Sequence, residues 1–205
     1  MSLSVTVSIV DDDQQVRESL AALLGSAKLD VSCYASGSDF LEHFLQSRPG
    51  CVVLDLRLPQ QSGLEILDEL AARRNKVPVI MISGHGDITT AVTAMKAGAV
   101  DFFEKPYRGS DLLESVRRAI DMDVRRRRAQ HEYDRLRARF NSLTDQEHEV
   151  LRLTMAGKPD KAIAIKLDLS LRTIQMRRSS VMRKLDARSR TELILLTQSL
   201  ESLTR

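Results

Sequence analysis

Long apolar runs are missing from this chain of 205 residues; none approaches the roughly 18 consecutive apolar residues that a membrane-spanning helix needs. The N-terminus, MSLSVTVSIVDDD, has neither a basic leading region nor a cleavage signature, so no secretory leader is expected. Cysteine is scarce. The two present, Cys33 and Cys51, lie in apolar β-like runs without metal-ligand spacing. They are expected as buried thiols in a reducing cytoplasm. Proline and glycine are missing from 122–140, and strand signals are missing from 141–205. Both absences point to a helical second half.

Charge is nearly balanced over the chain, with 31 Lys and Arg against 28 Asp and Glu. The balance conceals a split. Residues 1–121 hold 12 basic and 17 acidic side chains, a net −5, while 122–205 hold 19 and 11, a net +8. An acidic half joined to a basic half implies different partners for each. The basic half suits nucleic acid or an anionic membrane surface, and its motifs must decide.

Residues 1–121 alternate short β-branched runs with amphipathic segments. Strands are expected at 5–10, 31–35, 51–55, 77–82 and 99–103. Several are apolar without alternation, as strands buried on both faces are. Helices are expected at 14–25, 63–72, 88–97 and 110–121, where apolar residues recur with helical period. Five β/α units in this length predict an α/β fold, a doubly wound five-stranded parallel sheet with right-handed crossovers.

Ligands of such folds gather outside the carboxyl ends of the strands. Those ends carry Asp11-Asp12-Asp13, Asp55, Ser83-Gly84 and, after the fifth strand, Lys105-Pro106. Adjacent carboxylates repel unless a cation binds them, and oxygen ligands suit Mg²⁺. A carboxylate can also attack phosphorus, given a metal, a cation and a hydroxyl to hold the phosphoryl oxygens. Asp11, Asp12, Asp55, Lys105 and Ser83 supply that set. Asp13 is expected to cap the first helix. His85, in the GHGD segment, reads as part of a helix start.

IVDDD, VVLDLRLP, MISGHGD and DFFEKP, in that order and spacing, resemble the receiver domain of bacterial two-component response regulators. The likeness covers essentially all of 1–121. It implies that Asp55 is the phosphoacceptor, supplied by a sensor histidine kinase. Asp12, Asp55 and the backbone carbonyl of Arg57 would ligate Mg²⁺, with Asp11 acting largely through water. Lys105 would pair with the phosphate, and its bond to Pro106 would be cis. Ser83 would move toward the phosphate and Phe102 would rotate inward behind it. A phosphatase with an aspartyl nucleophile is the rival from the enzyme class. It would need a second acid two residues after Asp55, where this chain has Arg57, so a dedicated enzyme is not expected.

Residues 122–140, MDVRRRRAQHEYDRLRARF, are expected as a helical linker, continuous or not with the helix beginning near Ser110. Val124, Tyr133, Leu136 and Phe140 give a broken apolar stripe, too brief to establish a coiled coil. The run Arg125 to Arg128 suits a solvated face, DNA phosphates or pairing with the acidic half.

In 141–205, helices are expected at 145–156, 160–167, 171–185 and 189–202. Thr144 and Glu147 form a capping box, Gly157 and Pro159 separate two helices, and Ser170 caps the third. On 171–185, Ile174, Val181 and Leu185 share an inner face. Arg172, Gln175, Met176, Ser179 and Arg183 lie outward, as on a solvated helix or one entering a major groove. The run SLTDQEHEVLRLTMAG, followed by KAIAIKLDLSLRTIQMRRSSVMRKLDARSRTEL, resembles the LuxR/FixJ-type helix-turn-helix over 142–200. The resemblance implies an all-α double-stranded-DNA-binding domain at 141–205 with 171–185 as recognition helix. Gln175, Met176 and Ser179 would face base edges; Lys161, Arg172, Thr173 and Arg178 would lie nearer phosphates. Leu193, Leu196 and Leu200 fit either a dimer contact or a core.

Together these readings give a cytoplasmic regulator with no membrane role. Phosphorylation would drive homodimerisation through 88–97 and 99–103, where Ala91, Ala94 and Ala97 cluster, and RNA polymerase would be the eventual partner.

Overall fold

The computed structural model describes residues 5–44, 48–84 and 88–202, with side chains through 198. The chain divides into two compact units, Met1–Arg127 and Arg128–Arg205.

In the first unit, β1 (Thr6–Val10), β2 (Asp30–Tyr34), β3 (Gly50–Asp55), β4 (Val79–Ser83) and β5 (Asp101–Glu104) form one sheet. Its order is β2-β1-β3-β4-β5 and all pairings are parallel. Alternate side chains of each strand serve opposite faces. Val52, Leu54, Val79 and Met81 point to one core, closed by α2 (Gly37–His43), α3 (Gly63–Ala72) and α4 (Ile88–Lys96) through Phe40, Ile66, Leu67, Leu70 and Ala94. Cys51, Val53, Ile80 and Ile82 point to the other, closed by α1 (Gln14–Ser26) and α5 (Gly109–Asn141) through Leu20, Leu24, Leu112 and Val116. Burying each such Val, Leu or Ile contributes about 2 kcal/mol, which is why the central strands carry no polar alternation.

Most expected elements are present within a residue or two. Asp13 caps α1 by accepting from the Gln15 and Val16 amides at 2.8 and 3.4 Å. The Lys105-Pro106 bond is cis, as expected. The helix expected at 110–121 and the helical linker at 122–140, whose continuity the sequence left open, are one helix, α5. Two readings need correction. Helix α2 was not anticipated. Cys51 is buried but Cys33 is exposed, because it lies on β2, the edge strand of the sheet. His85 and the rest of 85–87 lie outside the described residues.

The arginine run has a role that composition did not reveal. Asp123 of α5 is fully buried, and Arg126 and Arg127 from the next turn both donate to its carboxylate. The same carboxylate accepts from the Gly50 amide at 3.1 Å, at the start of β3. Part of the run therefore neutralises a buried acid that ties α5 to the central sheet.

In the second unit, α6 (Asp145–Met155), α7 (Asp160–Leu167), α8 (Leu171–Leu185) and α9 (Arg190–Ser202) follow the end of α5. Ile174 of α8 packs with Val150, Leu153 and Ile163. Val181 and Leu185 pack with Leu143, Leu151 and Leu193. Leu193 is thus core and Leu196 packs against it, whereas the side chain of Leu200 is outside the described set.

Removing the Asp123 carboxylate leaves the Gly50 amide without its acceptor. Asp123→Ala should lower the unfolding free energy by about 2 kcal/mol in urea titration, with the far-ultraviolet spectrum unchanged.

Candidate functional site

The sheet order places the candidate site. β1 has neighbours on both sides, β2 and β3, and the crossover direction reverses between them, opening a crevice beyond the carboxyl ends of β1 and β3. Asp11 follows β1 and Asp55 ends β3. Both are buried, at 1% and 6% exposure, while Asp12 is exposed. Lys105, just past β5, spans the crevice. Its Nζ lies 2.9 Å from Asp11 Oδ2 and 2.8 Å from Asp55 Oδ1. The second Asp55 oxygen accepts from the Arg57 amide at 2.7 Å. Asp11 accepts from the Asp13 amide at 2.9 Å through its other oxygen.

Burial pushes the Asp11 carboxyl above its ordinary value, against the opposing pull of Lys105 and the Asp13 amide. Burial also works against the Lys105 ammonium, but its hydrogen bonds to Asp55 and Asp11 outweigh that and leave its proton held more tightly than usual. Ser83 is buried at the end of β4, and its carbonyl accepts from the Lys105 amide at 2.7 Å. Phe102 is half-buried on β5 against the α3–α4 core. The motif reading passed over Tyr107, two residues beyond Lys105 in the same DFFEKPY run. Its ring meets Phe103 edge-on, and burial raises its phenol pKa.

These side chains suit a divalent cation in donor type and charge. Two buried carboxylates share one ammonium, and Asp12 adds a third negative charge beside them. A hard dication with oxygen ligands would offset that excess. Among the described residues no three acidic, histidine or cysteine side chains already stand together as a metal cluster.

The second constellation lies on α7 and α8, joined at Asp168, whose backbone is left-handed with φ 51°. Ser170 caps α8 by accepting from the Thr173 amide at 3.1 Å, and the two hydroxyls are 2.8 Å apart. Arg172, Gln175, Met176 and Ser179 are exposed on the face opposite Ile174 and Val181, and Lys161 is exposed on α7. Met176 keeps 66% of its surface in solvent. Arg178 is engaged: its Nη1 lies 2.7 Å from Asp160 Oδ1, bracing α7 against α8.

The inner side of α8 holds a residue whose role was only half visible. Glu147 completes the expected capping box, accepting from the Thr144 amide at 2.8 Å. It also accepts from the Ser180 hydroxyl and the Lys184 ammonium, each at 2.7 Å. The local motif revealed the cap but not the clasp to α8. Lys184 and the Thr144 amide hold its carboxyl down at about 2.

Comparison with known proteins agrees with this division. Residues 7–117 match the response regulator receiver domain, and 141–197 match the luxR family of bacterial regulatory proteins. The chain is 39% identical to the response regulator protein TmoT of Ectopseudomonas mendocina, over 95% of this chain and 89% of that protein. It is 41% identical to the transcriptional regulatory protein FixJ of Rhizobium meliloti (strain 1021), over 92% and 93% of the two chains. The structure of the response regulator StyR aligns with TM-score 0.92 at 40% identity, covering 96% of this chain and 99% of that one.

Glu147 makes stability depend on pH. Its folded pKa is depressed from 4.5 to about 2, so its contribution is complete above 4.5 and fades as pH falls toward 2. Glu147→Gln should cost about 2 kcal/mol at pH 7. The same variant should flatten the acid limb of the melting curve over that window, as followed by calorimetry.

Proposed function

The chain belongs to the two-component response regulators that join a receiver domain to a LuxR-type DNA-binding domain, and from that premise we propose that Asp55 is its phosphoacceptor. The observation that carries this reading is the Lys105 ammonium held between Asp11 and Asp55 across the β1/β3 crevice. A sensor histidine kinase would donate the phosphoryl group. An Asp55 oxygen attacks phosphorus, the bond to the donor's imidazole nitrogen breaks, and an acyl phosphate remains on Asp55.

Asp11, Asp12, Asp55 and the Arg57 carbonyl are the residues that would hold Mg²⁺, which neutralises charge on the phosphoryl oxygens. Lys105 then exchanges one partner for another. In the resting chain it pairs with the Asp55 carboxylate; afterwards it pairs with a phosphate oxygen on the same residue. Ser83, at the adjacent strand end, donates its hydroxyl to a second oxygen, and half-buried Phe102 turns inward as β4 and β5 adjust.

We assign phosphoacceptance to 1–121, a helical linker to 122–140 and the output to 141–205. Phosphorylation would favour a homodimer through α4 and β5. Of the small residues noted there, Ala94 is fully buried and Ala91 and Ala97 are partly buried. Ile88, Val92 and Met95 are exposed instead, at 85%, 45% and 47%. A two-fold dimer would present two α8 helices to a symmetric operator, in the cytoplasm, with RNA polymerase recruited for activation. Gln175, Met176 and Ser179 would read base edges, while Lys161, Arg172, Thr173 and Arg178 would set register on phosphates. For Arg178 this requires leaving Asp160.

With acetyl phosphate and Mg²⁺, the wild-type chain should double its mass in light scattering and gain a phosphate by mass spectrometry. Asp55→Asn should do neither; labelling of Asp55→Asn at wild-type level would overturn the assignment. In fluorescence binding assays, Gln175→Ala should weaken binding to the preferred operator by about 1–3 kcal/mol and relax specificity at one position. Arg172→Ala should weaken all duplexes alike and reduce the salt slope by about 1.

A further inference from the structure

The loop from β1 to α1 carries Asp11, Asp12 and Asp13, and Asp11 is held within it from several sides. Its amide donates to the Tyr34 carbonyl at 3.3 Å, where β2 ends. One carboxylate oxygen accepts from the Asp13 amide and the other from Lys105, each at 2.9 Å. Its carbonyl accepts from Arg17 Nη1 at 2.7 Å, a contact that reaches back six residues from the first turn of α1.

That carbonyl lies one residue past the end of β1, so no ladder bond fixes it. Asp11 is 1% exposed, which leaves water little access to replace the guanidinium. The carbonyl belongs to the peptide that joins Asp11 to Asp12. A peptide is planar, so holding its oxygen sets the rotation of the whole plane, and with it the ψ of Asp11 and the φ of Asp12. Asp12 is exposed, and the direction of its carboxylate rests on that backbone. A charged donor on a carbonyl is among the stronger ways to fix such a plane.

Arg17 is itself anchored. Its amide donates to the Asp13 carbonyl at 3.1 Å, and α1 is seated on the sheet by Leu20 and Leu24. The guanidinium is half-buried and in no ion pair among the described residues. Burial, Lys105, the Asp13 amide and Asp55 set the state of the Asp11 carboxyl, and Arg17 does not enter. Its influence on the acidic loop therefore runs through the backbone.

We propose that Arg17 is a positioning residue for phosphoryl transfer, holding the Asp11–Asp12 peptide so that both carboxylates face one Mg²⁺. This rests on the reading that Asp11, Asp12 and Asp55 are the residues that hold the metal. The sign of the effect separates positioning from charge. A guanidinium acting by charge alone repels Mg²⁺, so its removal would tighten the metal. A guanidinium that orients the carboxylates does the reverse, and its removal weakens the metal.

Titration of the full chain with Mg²⁺ by calorimetry, with no phosphodonor present, tests the proposal. Arg17→Met, which keeps the length and loses the donors, should weaken Mg²⁺ by about tenfold. Arg17→Lys, which restores a donor, should recover most of that loss. In phosphorylation by acetyl phosphate, followed by intact mass, Arg17→Met should raise the Mg²⁺ concentration at half-maximal rate by the same factor and leave the plateau rate within about twofold. Hydrogen exchange without metal should become faster at 11–17 in Arg17→Met, with β3 and α5 unchanged. Unchanged or tighter Mg²⁺ binding in Arg17→Met, no recovery in Arg17→Lys, or protection lost across the whole sheet would each overturn it. Wild-type chain that binds Mg²⁺ yet takes no phosphate would overturn the Asp55 reading alone, with the titration and the exchange still deciding Arg17.

Discussion

One ammonium holds the carboxylate crevice together. Asp11 and Asp55 approach from different strands, and without Lys105 two buried negative charges would face one another. The backbone arranges for that ammonium to be there. The Lys105 amide donates to the Ser83 carbonyl, so the chain leaving β5 is pinned to the end of β4 before it turns at the cis bond. Strand order then matters as chemistry. Only because β1 is flanked by β2 and β3 do the two carboxylates open onto a common crevice, within reach of a side chain from the far edge.

Buried acids recur away from that crevice, each with its own solution. Asp123 is neutralised by two arginines of its own helix and spends its remaining capacity on a strand amide 73 residues away. Glu147 is neutralised by a lysine of α8. In each case a charged hydrogen bond between elements replaces apolar contact, which specifies a single relative placement of the two partners within their unit.

What the sequence made legible follows from how far each signal reaches. The central strands are apolar on both faces, so their runs stand out, and caps such as Asp13, Thr144 and Ser170 act within three residues. The rim residues were legible because strand ends are where this architecture collects them. Helix α2 was missed because seven residues with one fully buried side chain, Phe40, give no helical period to detect. Cys33 was misplaced because an edge strand and a central strand look alike until the sheet order is known. Strands expected at 77–82 and 99–103 begin later, at Val79 and Asp101, since Pro78 has no amide to donate and Gly98 turns the chain with φ 106°. Asp123 was silent because its burial and its Gly50 partner, 73 residues away, appear only in the fold, and Tyr107 because its burial does.

The clasp made by Glu147 carries a lesson for genetics. Its carboxylate grips the rear of α8 through Ser180 and Lys184, on the side away from Gln175 and Met176. A random mutant screen for lost promoter output would return position 147 alongside the residues proposed to read bases. A catalogue of such alleles would then draw the binding footprint too large, since one of its members acts by holding α6 to α8. Suppressors would separate the two kinds: a compensating change at 180 or 184 restores the first, and only a changed operator restores the second.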